Sequence, residues 1–307
     1  MNIDFSSKHH ILIRNSDGSY SPMDESYFHA EKIAPDTWQV TSSGDFSYLL
    51  AGEKEAIAID TGYGAGNLRE FMQTLTEKPV KNVINTHSHF DHTANNAYFE
   101  KAYMAYKAIP LATIPYASFQ GIDFPTDYVH VGIGEGFEYD LGGRTLEVFD
   151  IPDHTEDGIA LLDRKQRLLI TGDEFMPLPM GKHLRRVTVK TFYGYLEKLM
   201  AHRGAFDRLL CGSGVRDASM LDDYAACAKA ILSGDIGEPW LPPKHGGPPA
   251  MAPGPNGETV YDRMLPHAGD GGAGKPEPPG DYYCKRLGSI QIVYDRNKEE
   301  KDGSAAV

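Results

Sequence analysis

Cysteine is scarce here: three residues in a chain of 307, Cys211, Cys227 and Cys284, at unrelated spacings. That excludes a disulfide framework and fits a reducing compartment. Long apolar runs are also missing, and no stretch approaches the roughly 18 residues that a membrane-spanning helix needs. Basic charge is in the minority, with 30 Lys and Arg against 43 Asp and Glu and a formal net charge of −13. A chain of that sign is a poor partner for a phosphate backbone and for an anionic membrane surface. Residues 1–10 are polar and lack the apolar stretch of a secretory signal. A reduced, cytoplasmic protein without a nucleic-acid or membrane partner is the economical expectation.

What is present is the composition of a soluble globular protein, 41% hydrophobic and 24% charged. Residues 1–28 are read as an N-terminal extension in which His10 to Ile13 can form a strand, with His9 and His10 at the surface. The body is expected over 29–233. Strands are predicted at 38–40, 46–50 and 56–60, the last two joined by a hairpin turn at 52–55. Asn67 can cap a helix whose apolar Leu68, Phe71, Met72 and Leu75 follow i, i+3, i+4, i+7, with Pro79 beyond its end. A strand at 80–85 then completes a βαβ unit.

The run 93–107 reads as a helix, and 108–128, with Pro110, Pro115 and Pro125, as an irregular loop. Within that loop Tyr116, Phe119 and Phe124 either line a pocket or pack beneath it. Further strands are expected at 128–131, 137–141, 145–151, 159–162, 168–171 and 209–211. Helical spacing recurs at Phe192, Tyr195, Leu196 and Leu199, and again in a helix capped by Asp217 and stopped by Gly234. From 234 to 280, Gly and Pro fill 22 of 47 positions, which reads as a long loop or partly ordered arm. Residues 281–307 return as a strand alternating at Ile290, Ile292 and Tyr294, followed by a polar tail expected to be disordered.

The chemistry concentrates in Thr86-His87-Ser88-His89-Phe90-Asp91-His92-Thr93. Three imidazoles and a carboxylate so close together need partners if buried, and one kind of partner serves them all: a transition metal. In an extended segment His87 and His89 point to one side and can share an ion. Asp91 and His92 fall where the chain turns into a helix and can face a second ion. The plain alternative is a solvated polar loop.

This H-x-H-x-D-H run resembles the signature of the metallo-β-lactamase superfamily. The resemblance continues through Asp60-Thr61-Gly62, Pro152-Asp153-His154-Thr155, Thr171-Gly172-Asp173 and Cys211-Gly212-Ser213-Gly214, and covers roughly residues 30–232. It implies an α/β fold, an αββα sandwich of two mixed β-sheets flanked by helices. The strand and helix periodicities agree with that independently. It also implies one metal held by His87, His89 and His154, and a second held by Asp91 and His92 with Asp173 bridging. Zinc is the implied cofactor, as one or two ions, with Fe or Mn as alternatives. The departure is Ser213, where the family usually has His; a neutral hydroxyl is a poor zinc ligand. His183 is the first candidate for a substitute imidazole, followed by His245 and His267, and each is also readable as a surface histidine.

The implied function is a metal-dependent hydrolase acting on a small-molecule carboxylic ester, lactone or thioester through a metal-bound hydroxide. Asp91 would orient or deprotonate the water, and Asp173 would set the metal spacing and pass a proton to the leaving group. Asp60 would hold the histidine loop from behind, or simply end its strand. Two readings from other classes stay open: a mononuclear iron oxygenase of the same fold, and a non-catalytic metal-binding protein. A homo-oligomer is compatible with the sequence and not required by it.

Overall fold

The computed structural model describes residues 2–15, 18–42, 45–113, 115, 119–178, 184–241, 251–262 and 280–301. The strands begin with β1 (Ile11–Arg14), β2 (Tyr20–Pro22), β3 (Phe28–Ala34), β4 (Thr37–Ser42), β5 (Asp45–Ala51), β6 (Ala56–Ile59) and β7 (Val80–Ile84). Next come β8 (Lys101–Ala105), β9 (Val129–Ile133), β10 (Glu138–Asp140), β11 (Thr145–Asp150), β12 (Ile159–Asp163) and β13 (Leu168–Gly172). The last are β14 (Arg208–Cys211), β15 (Gly214–Asp217), β16 (Glu238–Pro239), β17 (Met251–Pro253), β18 (Thr259–Asp262), β19 (Tyr282–Leu287) and β20 (Ile290–Asp295). The helices are α1 (Leu68–Gln73), α2 (Phe90–Thr93), α3 (Val189–Met200), α4 (Ser219–Leu232) and α5 (Arg296–Lys301). Two compact units divide the chain: unit 1 takes 1–133, 140–144 and 244–276, and unit 2 takes 134–139, 145–243 and 277–307.

Unit 1 is built on a seven-stranded sheet in the order β3-β4-β5-β6-β7-β8-β9. It is antiparallel from β3 to β6 and parallel from β6 to β9. The expected βαβ unit is β6-α1-β7. The Asn67 side chain accepts from the Glu70 amide at 3.2 Å, satisfying one of the donors a helix start leaves open. The helix stops at Gln73, before Leu75. The Gln73 amide takes over the turn, donating to the Thr76 and Lys78 carbonyls and accepting from the Val80 amide at 2.9 Å. That steers the chain into β7, whose end delivers the histidine loop.

The helix expected over 93–107 is not formed. The chain makes the single turn α2, a 3₁₀ turn at Asn96–Tyr98 and then strand β8. Ala102 and Met104 alternate in burial with their neighbours, the period of a strand. Asn95 and Asn96 spend their side chains on distant groups of unit 1, the competition that makes Asn a poor helix interior. Phe119 and Phe124 pack in the unit 1 core against Phe90, and Phe119 also meets Tyr63 and Tyr261, so they pack rather than line a pocket. Tyr116 lies outside the described residues. A second sheet, β17-β18-β1-β2, pairs β1 in parallel with β18, so the described part of the Gly/Pro-rich arm is partly strand. His9 and His10 are exposed, as expected.

Unit 2 holds a six-stranded mixed sheet, β10 to β15 in chain order, parallel only at β13–β14 among the paired strands described. Phe192, Leu196 and Leu199 of α3 and Leu221, Tyr224, Ala228 and Ile231 of α4 form its core with Phe149, Phe175 and Phe206. A three-stranded sheet, β16-β19-β20, adds Ile290, Ile292 and Tyr294 to that core. Asp217 does not cap α4 as its N-cap: it ends β15, Ala218 is the N-cap, and the Asp217 carboxylate accepts from the Ser219 amide at 2.8 Å. Gly234 ends α4 with φ +97°, a conformation that favours glycine. The tail after 295 is helix α5 as far as Lys301, because Glu299 is buried and accepts from the Val189 amide at 2.8 Å. That bond and the Thr188 side chain together satisfy the start of α3. In both units a mixed sheet carries helices, which is the α/β class expected from the sequence.

Candidate metal centre

In unit 1, Asp60 ends β6 with φ +59°, a left-handed conformation that Asp tolerates better than most residues. Its carboxylate accepts three bonds at 2.8 Å: from the Thr86 amide, from the Thr86 hydroxyl and from His92 Nδ1. A carboxylate only accepts, so His92 carries its proton on Nδ1 and presents the Nε2 lone pair. The Thr86 hydroxyl spends its one proton on Asp60 and therefore accepts from His87 Nδ1, 3.1 Å away. One buried carboxylate thus fixes the tautomers of two histidines, directly and through Thr86.

His89 is the N-cap of α2, and Asp91 and His92 lie in its single turn. The His92 carbonyl is held by three donors: the Thr61 amide at 3.0 Å, the Thr61 hydroxyl at 3.2 Å and Asn85 Nδ2 at 2.7 Å. A ligand nitrogen of His87 lies within 4.8 Å of one on His89, and within the same distance of one on His92. His92 Nε2 lies 3.8 Å from Asp91 Oδ2. With the His92 proton on the far nitrogen, two lone-pair atoms face each other there. A divalent cation fits that donor set.

In unit 2, His154 follows β11 and Asp173 follows β13, with His154 Nε2 3.9 Å from Asp173 Oδ2. The His154 backbone is clamped at both ends: its amide donates to Glu174 Oε2 at 2.7 Å, and its carbonyl accepts from Arg186 Nε at 2.8 Å. Behind the clamp, the Arg185 guanidinium is fully buried and lies 2.6 Å from Glu174 and 2.8 Å from Asp153. Burial, and then the neighbouring Asp153 carboxylate, push the pKa of the Glu174 carboxyl upward, against the opposing pull of Arg185 and the His154 amide. Gly212 packs directly on the site: a Cβ there would sit 1.7 Å from Asp173 Oδ1. Ser213 is buried, with its hydroxyl 3.2 Å from the Cys211 thiol. Burial raises the pKa of that thiol.

Of the residues singled out in the sequence, His87, His89, Asp91 and His92 come together in unit 1, and His154, Asp173 and Ser213 lie on adjacent loops of unit 2. His183, His245 and His267 lie outside the described residues. Asp60 holds the histidine loop, the more specific of its two readings. Sequence reasoning missed Glu174 and Arg185. The only local signal was that Glu174 adjoins Asp173, since Arg185 is eleven residues further on.

Residues 43–200, just over half of the chain, match the family model described as "Metallo-beta-lactamase superfamily". A "Beta-lactamase-like protein 2 homolog" from Caenorhabditis elegans is 27% identical over 139 residues, which are 43% of this chain and 45% of that protein. The chain therefore spans under half the length of this relative. The Homo sapiens protein named "Acyl-coenzyme A thioesterase MBLAC2" is 23% identical over 198 residues, 54% of this chain and 71% of its own. Among solved structures, a metallo-beta-lactamase from Pontibacter korlensis shares the fold with a TM-score of 0.51 at 19% identity, covering 66% of this chain and 99% of its own. The chain belongs to the metallo-β-lactamase superfamily.

Proposed function

We propose that the chain is a metal-dependent hydrolase of a small-molecule carboxylic ester, lactone or thioester. The observation that carries the reading is the Asp60 relay, which presents the Nε2 lone pairs of His87 and His92 beside Asp91. A polar loop with no ligand duty has no need of two fixed tautomers. The human relative's name, an acyl-coenzyme A thioesterase, supports a thioester among the three substrate classes.

On this reading His87, His89 and His154 hold one zinc ion, and Asp91, His92 and Asp173 a second. Zinc in such sites supplies Lewis acidity and a water of lowered pKa. Asp91 would orient or deprotonate the attacking water, and Asp173 would pass a proton to the leaving group. Asp60 and Thr86 keep the imidazoles aimed, the outer support that ligand geometry depends on. All three cysteines are free thiols, which supports a cytoplasmic setting.

A second reading has its own observation. Ser213 stands where the family usually has His, and its hydroxyl is engaged with Cys211. That favours a centre with one strong ion, and with it the iron oxygenase. Elemental analysis of protein purified without added metal, repeated for Ser213→His, separates the two. About two zinc ions per chain, with turnover on a panel of esters, lactones and thioesters, is the result expected of the hydrolase. One iron per chain and no turnover on that panel would sink it. One zinc, rising to two only in Ser213→His, would retain the hydrolase and reduce it to a single ion.

A further inference from the structure

We propose that Arg185 is a positioning residue that sets the spacing between His154 and Asp173. Asp153 precedes His154 and Glu174 follows Asp173, so the two carboxylates paired with Arg185 are the chain neighbours of the two ligand positions. A single nitrogen, Nη1, reaches both carboxylates, at 2.6 and 2.8 Å. Any change in the separation of the two loops must therefore stretch a short, buried, charge-assisted contact.

The cross-link is rigid on its other sides. The guanidinium carbon lies 4.5 Å from the Phe192 ring centre and 6.0 Å from that of Tyr224. Both rings belong to the unit 2 core, so the cation lies against two packed aromatics in a place where its rotamers are few. The Arg185 amide donates to the Val293 carbonyl of β20 at 2.8 Å, and Leu184 bridges the same residue. Asp153 Oδ1 accepts from the Arg186 and Val187 amides at 2.6 and 2.9 Å, and Glu174 holds the His154 amide. Strand β20 therefore backs the segment that carries Arg185.

Placing three ionisable groups in a core is costly, and a hydrophobic filling of the same volume is often as stable. Stability alone therefore gives little reason for the arrangement, whereas a fixed loop separation requires something of this kind. Arg185→Lys keeps the charge but shortens the reach, and a flexible ammonium replaces a planar guanidinium packed against two rings. Glu174→Gln leaves Arg185 and Asp153 balanced but can serve only one of its two former donors through its single carbonyl oxygen.

This inference rests on the metal-centre reading above, and cobalt(II) titration followed by visible absorption tests the two separately. If the parent protein binds no cobalt, the metal-centre reading fails and this inference falls with it. If the parent binds, both variants should melt as cooperatively as the parent. Each should bind cobalt on the order of 10- to 100-fold more weakly, with altered visible bands. Parental affinity and spectrum in a folded Arg185→Lys would show that the guanidinium only neutralises charge, and would overturn the proposal. If that variant does not fold, Glu174→Gln decides by the same criterion.

Discussion

Units 1 and 2 hold their proposed ligands by different means. In unit 1, neutral groups surround the histidine loop: Thr61 and Asn85 hold the His92 carbonyl, Asn96 pairs with Asn85, and a single carboxylate, Asp60, aims two rings, one of them through Thr86. In unit 2, the bonds that fix His154 go to its backbone amide and carbonyl, and come from groups in a buried ionic cluster or beside it. Hydrogen bonds to ring nitrogens decide which nitrogen a histidine presents. Clamps on the backbone decide where the residue sits. Neutral amides are cheaper to bury than ions, so the first support should weaken by degrees and the second should fail abruptly.

Abrupt failure is the largest effect expected. Arg185→Met strands the Asp153 and Glu174 carboxylates in the core of unit 2, and should cost about 3–5 kcal/mol, the usual loss when one partner of a buried ion pair is removed. Urea unfolding of the metal-free protein measures it. A cost under about 1 kcal/mol would mean that the cluster is not ionic as drawn. Asp60→Ala comes next. It takes the acceptor from three donors at once, and should cost about 3 kcal/mol even after the site relaxes, with metal affinity down on the order of 10- to 100-fold. Asp60→Asn should recover much of the stability, because Asn tolerates the same left-handed backbone, but less of the affinity. Equal affinity in Asp60→Asn and the parent would dismiss the tautomer argument. A milder break in unit 1 is Asn96→Ala. It removes the reciprocal amide pair with Asn85, and with it the Tyr128 hydroxyl's partner. About 1–2 kcal/mol is expected there, with metal stoichiometry unchanged.

The same contrast explains what could be seen in the sequence. The histidine loop was legible because its ligands are chain neighbours, and so was the βαβ unit that delivers it, because helix period and cap are local. His154 and Asp173 were legible only through the family's order of motifs, since nothing near them in the chain marks them as ligands. The cluster behind them was not legible at all: the Arg186 and Val187 amides reach Asp153 across 33 and 34 residues. Strand β8 reads as helix in the sequence for a related reason. Its Ala- and Tyr-rich composition suits a helix, while the contacts that stop one run from Asn96 to Asn85 and Tyr128. Helix α5 reads from the sequence as a disordered tail because contacts that order it, Glu299 capping α3 among them, span 110 residues or more.

The smallest change in stability should accompany the most selective change at the site. Gly212 has a φ outside the left-handed region and keeps its amide on the Gly172 carbonyl at 3.0 Å, so alanine meets no backbone strain there. Losing the freedom of glycine in the unfolded chain even favours the variant by about 0.4–1 kcal/mol. The new Cβ, however, falls 1.7 Å from Asp173 Oδ1. A carboxylate at the end of a side chain can rotate away at little cost to the fold, so Asp173 should leave its position while the loops stay where Arg185 holds them. Gly212→Ala is therefore expected to unfold within about 1 kcal/mol of the parent, yet to lose the ion that Asp173 would hold. His154 keeps its clamp, so the other ion should remain. Parental metal content in Gly212→Ala would mean that Asp173 is not a ligand, and would move the bridging role elsewhere in the chain.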